Sequence, residues 1–153
     1  VWSFWTFADN GKEGGNMQQT FRGHLVVLID ERTYSDGETF AAGVKALNLG
    51  TLIGTRTAGA GIWLSNGNVL ADGGIARVAE SPQFGLDGRW LIEGWGIAPD
   101  IEVENMPYAT FNGSDNQLQT ALDFLENKIK EDPIPVLKGE PIPKVGIPGK
   151  DVR

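Results

Sequence analysis

The chain has 153 residues, 41% of them apolar and including seven Phe and five Trp, enough to build the core of one domain. Thirteen Lys and Arg stand against twenty Asp and Glu, and a net charge of −7 repels phosphate backbones and anionic lipid headgroups, which argues against nucleic acid as a partner. No cysteine is present, so disulfides, thiolate metal sites and a cysteine nucleophile are excluded, while the compartment stays open between cytoplasm and periplasm.

The chain begins with Val1 rather than Met, which reads as a piece of a longer polypeptide, and no basic region followed by an apolar segment opens it. Trp2, Phe4, Trp5 and Phe7 form an aromatic cluster that must pack on the core or on a preceding segment. Residues 8–20 are polar and glycine-rich without a period and predict a surface loop, so 1–22 reads as an irregular N-terminal segment. Gly23–Asp30, with five consecutive apolar residues, predicts a strand covered on both faces in a partly parallel sheet. Phe40, Val44 and Leu47 recur at i, i+4 and i+7, predicting a helix over 36–48 that Gly50 stops in a left-handed conformation. Leu52–Thr55 predicts a second strand, and strand, helix, strand makes a βαβ unit with a right-handed crossover.

From Gly59 to Gly96 short apolar runs alternate with glycines, predicting short strands and tight turns and no helix. Pro99–Val103 predicts a brief edge strand. Ser114 and Gln117 have capping-box spacing, and Leu118, Ala121, Leu122, Leu125 and Ile129 mark one face of a helix that ends before Pro133. The tail, 133–153, holds five of the eight prolines and should be extended or loosely ordered. No apolar stretch approaches the roughly 18 residues of a membrane helix.

Chemistry concentrates where the first strand hands over to the first helix. Ser35 and Glu38 spell S-x-x-E, the capping box in which a serine oxygen accepts a backbone N–H and the glutamate reaches back. Acyl-transfer enzymes place a nucleophile at the same kind of turn, because the hydroxyl is exposed there and the helix N-terminus offers N–H groups to an oxyanion. Position alone leaves both readings open.

Four stretches taken together, VVLIDERTYSDGETF, LGTLIGTRTAGAG, DGRWLIEGWGIAPDIEVEN and GSDNQLQTALDFL, resemble in order and spacing the C-terminal part of the catalytic domain of tricorn proteases and their bacterial homologues, within the tail-specific, or C-terminal processing, serine peptidases. The resemblance runs from about Gly23 to about Pro135 and implies an α/β fold with a ClpP/crotonase-like core, 23–132 forming the C-terminal part of the catalytic domain. It implies that Ser35 is the nucleophile, that the N–H of Asp36 is one oxyanion donor, and that Glu93 ends the relay by accepting from an upstream serine that orients a histidine base. Without the resemblance, Glu93 reads as a solvated strand-end carboxylate. Thr57, Ala58, Gly59 and Gly61 match a loop close to the nucleophile, where small residues let a substrate backbone approach; turn geometry alone explains these glycines equally well. Implied further are a peptide or unfolded-protein substrate, a possible homo-oligomer, and no cofactor.

Processing-type members use a lysine base at the position of Ala60, and Lys45 lies midway along the predicted helix, so the histidine-based arrangement fits better. The one histidine, His24, opens the strand whose far end leads to Ser35, about 20 Å away at about 3.3 Å per residue, where proton transfer needs about 3 Å. The base and a glycine-rich oxyanion strand are then expected upstream of this chain, which alone should be nearly inactive. Asp72 and Asp87 with their glycines read as turns rather than calcium loops, and the dispersed tryptophans as core or interface residues. Two rivals remain: a noncatalytic peptide-binding or assembly module in which Ser35 is only a cap, and a crotonase-like enzyme acting on thioesters, which would need basic residues this acidic chain does not display.

Overall fold

The computed structural model describes residues 4–6, 13–15 and 21–136. The chain divides into two units: Val1–Gly23 with Asp132–Arg153, and His24–Glu131. In the first, β1 (Phe4–Thr6) pairs antiparallel with β2 (Glu13–Gly15), Phe4 opposite Gly15. A strand therefore lies within the stretch expected to be loop. The aromatic cluster's packing and most of the proline-rich tail lie outside the described residues.

The second unit is built on a three-stranded parallel sheet in the order β3 (Val26–Ile29), β4 (Thr51–Gly54), β7 (Ile101–Glu102). Leu28 opposes Ile53, and Ile53 in turn opposes Ile101. Short parallel strands rich in aliphatic residues need cover on both faces. Helix α1 (Asp36–Ala46) packs on β4, and helix α3 (Asn116–Glu131) packs on β3 and β4. Ile29, Leu52, Ala41, Val44, Ile92 and Ile97 form the core cluster. Fully burying a side chain such as Leu52 or Ile92 contributes about 1.5–3 kcal/mol. Between β4 and β7 the chain makes a two-stranded antiparallel ribbon, β5 (Trp63–Leu64) with β6 (Ala79–Ser81), and two isolated bridges, so the expectation of short strands without a helix holds there.

Helix faces differ from the sequence expectation. In α1, Phe40 and Leu47 are 59% and 69% exposed, and the buried line is Glu38, Ala41 and Val44. The carboxylate of Glu38 is bonded beneath the first turn, which rotates the helix away from its larger apolar residues. The left-handed stop is Asn48 (φ 51°) rather than Gly50; asparagine tolerates that region, and Gly50 is small because a Cβ there would strike Leu25. In α3 the buried residues are Gln117 and Ala121, while Leu118, Leu122 and Ile129 stay about half exposed. Its start is capped by Asp115, whose Oδ1 accepts the Leu118 N–H at 2.9 Å, and not by Ser114. Gln117 turns inward because its amide donates to the Val103 carbonyl at 2.9 Å and its N–H donates to Asn105 Oδ1 at 3.0 Å. A short helix, α2 (Pro107–Phe111), carries no readable apolar period and was not expected; Pro107 starts it.

Candidate active site

After β3 the chain turns sharply into α1. Asp30 Oδ1 accepts the N–H groups of Arg32 and Thr33, both at 3.0 Å, an aspartate-centred turn after which Thr33 and Ser35 pair with the segment that follows β4. Ser35 then takes φ 54° and ψ −119°, a region that side-chain-bearing residues rarely enter and that costs about 1–3 kcal/mol. Its side chain is exposed. The capping-box arrangement is present, and Glu38 Oε2 accepts the Ser35 N–H at 3.2 Å, but the hydroxyl closes no cap hydrogen bond of good geometry. Instead the Glu38 and Thr39 N–H groups reach the Ser35 carbonyl at 2.9 and 3.0 Å. The strained backbone thus presents an exposed hydroxyl that the helix engages only through the capping-box contact.

Two amides at this turn have different fates. The Ser35 N–H is spent twice, on Glu38 and on the Ala60 carbonyl at 3.2 Å. The Asp36 N–H, first of the helix, has no acceptor among the described residues. An N-terminal amide of this kind carries the positive end of the helix dipole and is free to donate to an anion.

Beneath the turn lies the segment that follows β4. Glu38, fully buried, accepts from the Thr57 hydroxyl at 2.5 Å, the Gly59 N–H at 2.7 Å and the Ala60 N–H at 2.9 Å, in addition to Ser35. Burying a carboxylate is costly unless its lone pairs are met, and here four donors meet them. Thr57 also accepts the Ile97 N–H at 2.7 Å, and the Gly59 carbonyl accepts from Gly94 at 2.9 Å. Gly59 holds φ +78°, and an added Cβ would crowd the Trp95 and Gly96 amides. Glu93 sits on the next turn; its Oε2 accepts the N–H groups of Gly61 at 2.9 Å and Ile62 at 3.1 Å, and its Oε1 accepts nothing among the described residues. One peptide unit, Ala60–Gly61, therefore joins Ser35 to Glu93: its carbonyl receives the Ser35 N–H and its N–H goes to the Glu93 carboxylate.

The structure brings Ser35, Asp36, Glu93 and the 57–61 segment into one neighbourhood. Within that segment Thr57, Gly59 and Gly61 are buried, and Ala58 and Ala60 face outward. His24 precedes β3, at the end of the strand away from Ser35. Lys45 lies in the last turn of α1, bonded to Asp100 Oδ1 and the Ala98 carbonyl, both at 2.9 Å. Sequence reasoning read Glu38 only as a cap partner; its buried, four-donor role had no signal beyond the glutamate at i+3. A cavity of about 350 Å3 opens beyond the carboxyl ends of the parallel strands, lined by Asp30, Glu31, Arg32, Thr55 and Glu104 among others, with Ser35 outside its lining. Among the described residues Asp100 and Asp115 are the carboxyls held below the usual range: burial pushes Asp100 up but the Leu52 N–H and Lys45 outweigh it, and the Leu118 N–H and Asn105 lower Asp115.

A strained, exposed serine at a helix start beside a free amide and a tethered carboxylate is an arrangement that supports acyl transfer. Residues 6–103 match the sequence profile of peptidase family S41. The chain belongs to peptidase family S41. It is 33% identical to the tricorn protease of Thermoplasma acidophilum over 109 residues, covering 71% of this chain and 10% of that protein. To a tricorn-like protease C-terminal subunit of Sulfurisphaera tokodaii it is 34% identical over 122 residues, covering 80% of this chain and 14% of the relative. The crystal structure of the tricorn protease superposes with a TM-score of 0.74 at 30% identity, over 80% of this chain and 12% of that one. The chain thus spans a small part of the length of these family members. Relatives of this chain are named as serine proteases, and the chain shares the mixed α/β fold of the tricorn protease. Among the described residues no helix is long and apolar enough to cross a membrane.

Proposed function

We propose that the polypeptide carrying this chain is a serine endopeptidase of the tricorn and tail-specific type, cleaving peptides or unfolded polypeptides through an acyl-enzyme. The reading is carried by the Ser35 turn: positive φ, an exposed residue whose hydroxyl has no cap bond beyond the capping-box contact, and the unpartnered Asp36 N–H next to it. The Ser35 oxygen attacks the scissile carbonyl carbon as a histidine from outside this chain takes its proton. The carbonyl oxygen becomes an oxyanion held by the Asp36 N–H and by a second amide, also from outside. When the tetrahedral intermediate collapses, the C–N bond breaks and the histidine protonates the departing amine; water then hydrolyses the ester by the same steps in reverse. Glu93, fixed through Oε2, keeps Oε1 for the serine that orients the histidine. Ala58 and Ala60 line the substrate's path with Thr57, Gly59 and Gly61 as their support.

Residues 23–132 form the C-terminal part of a ClpP/crotonase-like catalytic domain, flanked by 1–22 and by the proline-rich 133–153. No cofactor takes part. The chain alone is nearly inactive, since loss of the base leaves only weak residual catalysis. A fluorophosphonate probe on the complete polypeptide tests the reading: labelling that disappears in Ser35→Ala supports it, and a complete polypeptide that resists the probe favours a noncatalytic peptide-binding or assembly module.

A further inference from the structure

We infer that Glu38 is a positioning residue for acylation, fastening the 57–60 segment under the Ser35 turn; the inference rests on the reading of Ser35 as nucleophile. A capping glutamate needs only the Ser35 N–H and stays at the surface. Glu38 is instead fully buried, and three of its donors come from 19 to 22 residues further along the chain. The division of labour is specific. Oε1 takes the Thr57 hydroxyl and the Gly59 N–H, while Oε2 takes the Ala60 N–H and the nucleophile's own N–H. The next two amides, Gly61 and Ile62, pass to Glu93. Four consecutive amides are thus shared between two carboxylates, and the separation of Ser35 from Glu93 is set through Glu38.

Three consequences follow for acylation. The Ser35 N–H is consumed, so Asp36 is the amide left at the turn for an oxyanion. The Ala60 carbonyl is held against Ser35, which braces the strained φ. No N–H from Thr57 to Ile62 is left to pair with a substrate, since Thr57 donates to the Ile97 carbonyl and Ala58 to that of Thr33, and Ala58 and Ala60 are the exposed residues of the 57–61 segment.

Glu38→Gln isolates the effect, because the carboxamide has the same shape but must turn its NH2 toward one of the two donor pairs. In the complete polypeptide we expect fluorophosphonate labelling of Ser35 to slow at least tenfold, with kcat for a peptide substrate falling and KM little changed. Amide exchange should quicken at Gly59, or at Ser35 and Ala60, and stay unchanged at Gly61 and Ile62. Glu38→Asp, keeping the charge on a shorter stem, should recover part of the rate. If Glu38→Gln does not fold, Thr57→Val removes the Glu38 donor, and also the acceptor of the Ile97 N–H, and should slow labelling at least about fivefold. Wild-type labelling and exchange in a folded Glu38→Gln overturn the inference, as does quickened exchange across all five positions with a matching loss of thermal stability, which marks a purely structural role. Absence of labelling in the wild type, by contrast, overturns the peptidase reading itself.

Discussion

The strain at Ser35 makes a prediction that separates stability from chemistry. At φ 54° and ψ −119° a Cβ is unfavourable by about 1–3 kcal/mol, and glycine relieves it. Glycine also frees the unfolded chain, which costs about 0.4–1 kcal/mol. Ser35→Gly and Ser35→Ala both lose the hydroxyl and with it the capping-box contact, so that loss cancels between them. Ser35→Gly should therefore be about 1 kcal/mol more stable than Ser35→Ala, which keeps the Cβ and its strain. Urea unfolding of the chain followed by circular dichroism is the assay: with an m-value of about 1–3 kcal/mol per M, the midpoint of the glycine variant should lie about 0.5 M above that of the alanine variant at equal m. A glycine midpoint at or below the alanine one would refute the claim that this turn is strained, and with it the view that the fold gives up stability to present Ser35.

Other consequences are as direct. Gly59→Ala places a Cβ against the Trp95 and Gly96 amides in a left-handed conformation, and should destabilise by about 2–4 kcal/mol in urea titration while slowing probe labelling of the complete polypeptide. Leu52→Ala, at a fully buried core position, should cost about 2–5 kcal/mol by the same titration. Asp100, held below its usual 3.8 against the upward push of burial by the Leu52 N–H and Lys45, stabilises the folded chain above that value and loses the contribution as pH falls through its folded pKa. The pair is more than a third exposed, so Asp100→Asn should cost no more than about 1 kcal/mol at neutral pH, and the difference from wild type in urea should shrink on acidification below about pH 4.

What could be read from the sequence was the local order of the chain. The apolar run into VVLI, the S-x-x-E start and the return at TLIG specify strand, turn, helix and parallel strand, because periods of one face and of two faces are written in consecutive residues. The serine at the turn was legible for the same reason. The rotation of the helices was not. Phe40 and Leu47 outrank Ala41 in hydrophobicity, yet α1 turns Ala41 and a glutamate inward, since the partners of that glutamate lie about twenty residues away and only the tertiary fold supplies them. In α3 a glutamine likewise outcompetes leucines for the interior by bonding the Val103 carbonyl. The strain at Ser35 and the peptide that links it to Glu93 are also products of tertiary packing, invisible to any window of sequence.

The measurement that bears most directly on the account is the site of covalent modification in the complete polypeptide. After reaction with a fluorophosphonate, digestion and mass spectrometry should place a single stoichiometric adduct on the Ser35 hydroxyl. An adduct on another residue, or an unmodified Ser35 in a polypeptide that still hydrolyses peptides, would contradict it.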